Sequence, residues 1–367
     1  MSENKIFLAA IDQYIRTNTV SSEEKKITGK DFISWGDNNK YPQFLWELYN
    51  NCATLQTIVN GTGDYVCGDD IVCNVDGFDR TINKNGDTIK DVIQKITLDY
   101  LIFGAFAIQI IRNFAGGVAE LYWIDVNKLR SDEKNEVFYF SEDWNKSYGR
   151  LKTIIYPKFN PNDSNATSIF YYKGNKTRGV YGVPIWSAAV RNAQIENHIT
   201  DFHLNEISNN FMTSKLISFN NGQPSDELKT EIEKNLSEKF AGTGNAGRVM
   251  ISFSDSKENA PEVISLATDN FAQRYNTLER RNKEQIYCAF RATPVLFGLV
   301  TENNGFATSE YSDSYKLFNK TVVSPIQQAI IDSFDKIFEQ TNSVTITPFS
   351  ITFEKDVAPN AKLPSII

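Results

Sequence analysis

Two long stretches of helical hydrophobic spacing, joined by one short polar loop, run from Asp269 to Phe338 and leave this chain few ways to fold. In the first, Phe271, Tyr275, Leu278, Ile286, Ala289 and Phe290 recur near three-and-four spacing, with Asp269 or Asn270 placed to cap the helix. The opposite face carries Arg274, Glu279, Arg280, Arg281, Lys283, Glu284 and Arg291, a mixed-sign surface suited to solvent or to another subunit. Pro294 is expected to stop this helix. Val295-Leu296-Phe297-Gly298-Leu299 and then Val300-Thr301-Glu302-Asn303-Asn304-Gly305 follow, the Asn-Gly pair marking a turn. A second helix, capped by Thr308 or Ser309, carries Tyr311, Tyr315, Phe318, Val322, Ile326, Ala329, Ile330, Ile337 and Phe338. Pro325 is expected to kink or break it.

The chain in order reads as an α+β unit ahead of these helices. Ile6, Phe7, Ile11, Tyr14 and Ile15 pattern as a short amphipathic helix over residues 5–16. Residues 17–40 are polar and turn-rich. Trp35-Gly36-Asp37-Asn38-Asn39-Lys40 offers oxygen donors but lacks the further carboxylates a metal would want, so it reads as a plain loop. A helix from Pro42 to about Gly63, a strand from Cys67 to Val75 and a helix from Asp87 to Phe103 follow, the last facing inward through Ile89, Val92, Ile93, Ile96 and Tyr100 and broken by Gly104. Ala105 to Asn113 reads as a buried strand, turned by Gly116-Gly117 into Val118 to Ile124, with further strands at 137–140, 151–156 and 168–173.

Tyr181-Gly182-Val183-Pro184 is expected to open a long helix ending at Phe211 or Met212, its apolar residues spread over more than one face. His198 and His203, the only histidines, sit about 140° apart on it, which argues against a shared metal site. Strand Lys215–Phe219, turn Asn221-Gly222, helix Ser225–Phe240 and strand Arg248–Phe253 make a compact α/β insertion. Between its helix and last strand lies a literal G-x-G-x-x-G, Gly242 to Gly247. A dinucleotide fingerprint needs a strand before the glycines and a helix after them; here the order is reversed, so this is a helix end and a loop. Val344 to Phe353 alternates imperfectly around Pro348 as a returning strand, and Pro359 and Pro364 mark a loose tail.

A chain of 367 residues with 41% hydrophobic content can bury two or three domains, and its 25 Phe and 16 Tyr suit either large cores or extensive subunit contacts. With 38 basic against 45 acidic residues the net charge is −7, which excludes gripping nucleic acid by bulk electrostatics. Cys52, Cys67, Cys73 and Cys288 lack zinc spacing, and with no secretory leader in view they are expected to be reduced, Cys67 and Cys73 included. The apolar runs are short and interrupted, so no membrane span is expected, and a soluble protein of intracellular origin is. There is no Walker A lysine, nucleophile elbow or partnered histidine, which points to a non-enzymatic chain without a cofactor.

The order of these features resembles the portal proteins of tailed bacteriophages, the head–tail connectors of long-tailed phages. It consists of an arginine-rich helix, Phe290-Arg291-Ala292-Thr293-Pro294-Val295-Leu296-Phe297-Gly298, an Asn-rich loop and a helix through Ser324-Pro325-Ile326. Trp35-Gly36-Asp37-Asn38-Asn39, Tyr41-Pro42, Phe103-Gly104-Ala105-Phe106 and Tyr181-Gly182-Val183-Pro184-Ile185-Trp186 extend the resemblance over roughly residues 30–340. It implies an α+β wing over residues 1–180, a first stem helix at 181–212, a clip at 213–265 and a second stem helix at 266–295. A tunnel loop at 296–308, a long kinked helix at 309–340 and a short strand and tail at 341–367 complete it, with the usual C-terminal crown small or absent.

The function implied is a ring of twelve copies at one capsid vertex of the virion, assembled in the host cytoplasm. It would pass double-stranded DNA without sequence preference and meet the large terminase subunit, the major capsid protein and a head–tail adaptor. Glu302, Asn303, Asn304 and Gly305 would face the channel, Gly242, Thr243, Gly244 and Asn245 would meet the motor or adaptor, and Arg274, Arg280, Arg281 and Arg291 would pair between subunits. Twelve copies at −7 each carry −84, which would keep phosphates from sticking to the channel wall. Another connector ring, or a soluble α/β enzyme, is the alternative. For the loop, the alternative is a helix connection that touches no DNA.

Overall fold

The computed structural model describes residues 20–26, 31–144, 153–174, 178–208, 215–219, 225, 228, 231, 249–253, 271–298 and 308–350. The expected helix at 5–16, most of the helix expected at 225–240 and the proline tail lie outside them.

Local chemistry fixes the first elements. A strand pair, β1 (Lys25–Lys26) and β2 (Ile33–Ser34), precedes two helices where the sequence pattern suggested one: α1 (Tyr41–Asn51) and α2 (Ala53–Cys67). Cys52 between them is extended, at φ −96° and ψ 106°, although its N–H still closes α1 on the Leu48 carbonyl at 2.9 Å. Neither Gly nor Pro marks this break, which is why the pattern passed over it. Cys67 belongs to the helix, so β3 is shorter than expected, Asp70–Cys73. It pairs antiparallel with the C-terminal strand Val344–Thr347, Ile71 opposite Ile346.

Thr88 caps α3 (Ile89–Phe103) in a reciprocal box with Asp91, and Gly104 ends it in the left-handed conformation at φ 74°. The chain then forms β4 (Ala105–Arg112) and β5 (Val118–Trp123), with β9 (Thr167–Lys173) on the other side of β4, an antiparallel sheet ordered β5-β4-β9. A second sheet runs β6 (Leu129–Ser131), β7 (Val137–Phe140), β8 (Ile154–Pro157), joined to the first by a bridge from Lys158 to Ile169. Strand β6 escaped the pattern because three residues, Leu-Arg-Ser, give no alternation to read.

The long helix does not open at Tyr181. Residues 181–186 carry no helix, a 3-10 turn spans Ser187–Ala189, and α4 runs Val190–Ser208. Strands β10 (Lys215–Phe219) and β11 (Val249–Phe253) pair parallel, which requires a crossover between them and fits the expected strand–helix–strand order.

Helix α5 is Phe271–Phe290, ended by Arg291 in the left-handed region at φ 54° ahead of Pro294, which instead begins a 3-10 turn, Pro294–Phe297. After the loop come α6 (Thr308–Phe318), a π-helical turn over Asn319–Val323, and α7 (Ser324–Phe338). The kink expected at Pro325 takes this form. Proline offers no N–H to the preceding turn and its ring crowds it, so the helix widens by one residue instead of stopping.

One core unites these parts. Leu55, Ile58 and Val59 of α2 and Ile93, Ile96 and Ile102 of α3 are fully buried, as are Phe106 and Ile108 of β4 to within 1%. Helix α7 touches α2 and buries Ile326, Ile330, Phe334 and Ile337 at helical spacing in the common core, each such side chain contributing about 1.5–3 kcal/mol. Cys52, Cys67 and Cys73 are buried free thiols, and no described helix is long and apolar enough to cross a membrane.

Within this core Asp99 of α3 accepts from Trp123 Nε1 at 2.8 Å and from the Val126 N–H at 3.4 Å. Burial, and then the nearby Asp125 carboxylate, hold its carboxyl well above the usual range. Between the ordinary carboxylate pKa and this raised one, the unfolded chain is ionised while the folded chain keeps its proton, so this group's contribution to stability falls as pH rises. Asp99→Asn removes the charge and keeps the acceptor. Its stability relative to the parent, measured by denaturant unfolding, is expected to be greater at pH 7 than at pH 4; a difference independent of pH contradicts this.

Candidate functional site

Three short stretches, far apart in sequence, meet at one place. Trp35 stacks flat on Tyr181, centroids 4.4 Å apart and planes within 4°, and meets Phe103 edge-on at 6.4 Å. The Tyr181 hydroxyl donates to the Ile33 carbonyl and accepts from the Ser131 N–H at 3.0 Å. Asn39, held at φ 62°, turns its side-chain oxygen inward to accept from the Trp35 N–H at 3.0 Å.

Into this cup comes Arg130 of β6, fully buried. Its guanidinium donates Nε to Asn39 Oδ1, Nη2 to the Asn39 carbonyl at 2.8 Å, and Nη1 to the carbonyls of Asn127 at 2.8 Å and Leu129 at 2.6 Å. Trp144 and Trp35 present ring faces 4.9 and 5.8 Å away. Burial lowers its pKa to about 10, still protonated at neutral pH. The stretch 35–39, read as a plain loop, is therefore the receptor of an arginine. Oxygen donors without enough carboxylates suit a guanidinium better than a metal, and that was the available signal.

Beside this cup the backbones of Gly104 and Gly182 touch. A Cβ on Gly104 would lie 2.3 Å from the Val183 carbonyl group, and one on Gly182 would lie 2.5 Å from Gly104. Fully buried Trp186 then donates Nε1 to the Leu101 carbonyl at 2.9 Å, fixing where α4 departs.

Two further contacts orient α4. Asn192 Nδ2 donates to Asn282 Oδ1 at 2.8 Å and Asn282 Nδ2 returns to the Asn192 carbonyl at 2.9 Å, which sets the register of α4 against α5. Buried Glu196 accepts from the Thr54 N–H at 3.0 Å, placing a carboxylate at the N-terminus of α2 where the helix dipole favours it. Burial, and after it Glu196, push the neighbouring Cys52 thiol up to about 12. Arg130, Asn192, Glu196 and Asn282 carried no reading from sequence, because their partners are distant in the chain.

The expected site residues fall as follows. Arg280, Arg281 and Arg291 are exposed, Arg280 lying 3.8 Å from Glu284 one turn on, and the Arg274 side chain lies outside the described residues. Near them in sequence Leu278 is exposed on α5, and Ile195, Phe202 and Leu204 are exposed on α4. Glu302, Asn303, Asn304 and Gly305, and Gly242, Thr243, Gly244 and Asn245, lie outside the described residues. What is described of the loop is its approach: Phe297 sits among Tyr65, Tyr287 and Phe318 at centroid distances of 6.2, 6.0 and 6.1 Å, over Gly61, where a Cβ would fall 2.7 Å from its ring. His198 and His203 share no metal cluster, and among the described residues no three metal-ligating side chains come together.

Residues 82–355 match the family described as phage portal protein. The fold is similar to a chain in the neck of a native gene transfer agent particle computed with C12 symmetry, at 16% identity over 87% of this chain and 86% of that one, TM-score 0.52. It is similar also to a chain of the native gene transfer agent virion, at 13% identity over 92% and 88%, TM-score 0.55. A crystal structure of an HK97-family phage portal protein from Corynebacterium diphtheriae aligns at 15% identity over 79% and 88%, TM-score 0.49. No curated protein matches the sequence.

Lysine brings three donors on a flexible stem to a cup shaped for the arginine fork. Arg130→Lys is expected to cost about 3 kcal/mol in denaturant unfolding; a loss below about 0.5 kcal/mol would contradict the receptor role of residues 35–39.

Proposed function

The chain belongs to the phage portal protein family, and from that premise we propose that twelve copies form a ring at one capsid vertex of a phage or phage-like particle, enclosing the channel for double-stranded DNA. The role is structural. The C12 symmetry with which a similar particle's neck was computed supports the copy number.

The observation that carries the reading is the pair α4 and α5. The Asn192–Asn282 exchange and Glu196 lock it to the core, yet it leaves Ile195, Phe202, Leu204 and Leu278 in solvent. Apolar side chains on so rigid a pair suit a neighbouring copy, and Arg274, Arg280, Arg281 and Arg291 would flank that contact with charges able to pair across it. These helices are the stems. Residues 1–180 and the sheets they build are the wing, facing the major capsid protein. The parallel pair β10–β11 belongs to the clip, where Gly242, Thr243, Gly244 and Asn245 would meet the large terminase subunit and later the head–tail adaptor.

In this arrangement Glu302, Asn303, Asn304 and Gly305 reach the channel. Neutral asparagines make weak, replaceable phosphate contacts, and the net negative ring discourages lasting ones, so the duplex slides during packaging and ejection.

Two outcomes test this. Phe202→Asp with Leu278→Asp is expected to keep the native circular dichroism spectrum and abolish rings in negative-stain images; rings that persist would remove the stem assignment. Asn303→Ala, Asn304→Ala and Gly305→Ala together are expected to leave rings intact and reduce packaged DNA. Packaging at the parent level would return residues 302–305 to the status of a helix connection.

A further inference from the structure

Residues 299–307 are entered from the turn Pro294–Phe297 and left through α6, and both flanks touch one side chain of a third element. Tyr65, in the last turn of α2, is buried, and its hydroxyl lies 2.8 Å from the Leu296 carbonyl and 2.9 Å from the Tyr311 hydroxyl. A phenol has one proton to give. Because the carbonyl can only accept, Tyr65 donates to Leu296 and Tyr311 donates to Tyr65.

The ring of Tyr65 completes the contact. Its centroid lies 5.5 Å from that of Tyr315 and 5.9 Å from that of Phe318, after the loop, and 5.1 Å from that of Phe349, with Phe297 before the loop at 6.2 Å. The Tyr315 hydroxyl in turn donates to the Phe349 carbonyl at 2.8 Å. Helix α2 is meanwhile packed on α1 and α3 and cannot follow the flanks if they shift.

We propose that Tyr65 is a positioning residue that fixes the separation of the two flanks, so that α2 sets where the channel loop begins and ends. The functional half of this rests on the reading of residues 302–305 as the channel loop. The relay is asymmetric: removing the Tyr311 hydroxyl leaves the bond from Tyr65 to Leu296, whereas removing the Tyr65 hydroxyl breaks both and takes from the Leu296 carbonyl its donor among the described residues.

The test places spin labels at Thr293→Cys and Glu310→Cys, both exposed, in a Cys288→Ser background that removes the exposed native thiol. Rings are assembled with a large excess of unlabelled chain, and the label separation is read by pulsed electron resonance. Tyr65→Phe, which keeps the ring and its packing, is expected to broaden the distribution, the displaced population rising about fivefold for one lost hydrogen bond. Tyr311→Phe is expected to broaden it less, and the double variant no more than Tyr65→Phe alone. A distribution as narrow in Tyr65→Phe as in the parent, or broader in Tyr311→Phe than in Tyr65→Phe, overturns the proposal. DNA packaging by the same rings separates the two claims: broadening with a loss of packaging supports both, and broadening with packaging unchanged keeps the clamp and defeats the channel-loop reading.

Discussion

Helix Ala53–Cys67 is held at both ends by parts of the chain that come much later, and the architecture depends on that. At its N-terminus the Glu196 carboxylate of α4 satisfies the Thr54 N–H; at its C-terminus Tyr65 reaches Leu296 and Tyr311. Two glycines and several β-branched residues make it a poor helix by intrinsic propensity. Its stability comes from packing on α1, α3 and α7 and from these two end contacts. The same poverty is useful, since Gly61 lets the Phe297 ring approach where a Cβ could not fit.

From this follows a division between rigid and exposed parts. The arginine cup at Trp35–Asn39, the Gly104–Gly182 backbone contact and Trp186 fix the departure of α4, and the asparagine exchange then fixes α5 against it. The buried guanidinium has carbonyl and amide oxygens, not a carboxylate, as its hydrogen-bond partners. That geometry demands one arrangement of three distant segments and tolerates few others. Beyond the last of these contacts the two helices carry exposed apolar side chains, Ile195, Phe202 and Leu204 on α4 and Leu278 on α5.

Much of the fold was legible because its local signals are strong. The glycine after Phe103, the hairpin at Gly116-Gly117 and the proline at 325 each carry their own chemistry, and the elements they bound are present within a few residues. The break at Cys52 and the late start of α4 at Val190 were not legible, since each is set by a partner distant in sequence, and the short strand at Leu129 offered no alternation to read. The site divides likewise. Exposed arginines on α5 follow from helical spacing, but nothing near Arg130, Glu196 or Tyr65 in the sequence announces what they touch. The motif stretches at 35–39, 103–106 and 181–186 were visible as a resemblance before their joint reason was: they form one packed junction.

Whether the α4–α5 pair closes a ring around an axial channel decides the proposed function. Native mass spectrometry of the purified protein, paired with the symmetry of particle images, tests it most directly. Twelve-fold rings with an axial opening wide enough for duplex DNA, and a mass of twelve times 41.6 kDa, about 500 kDa, are expected. A chain that remains monomeric or dimeric even when produced together with its capsid proteins, or that closes into a particle with no axial opening, would contradict it.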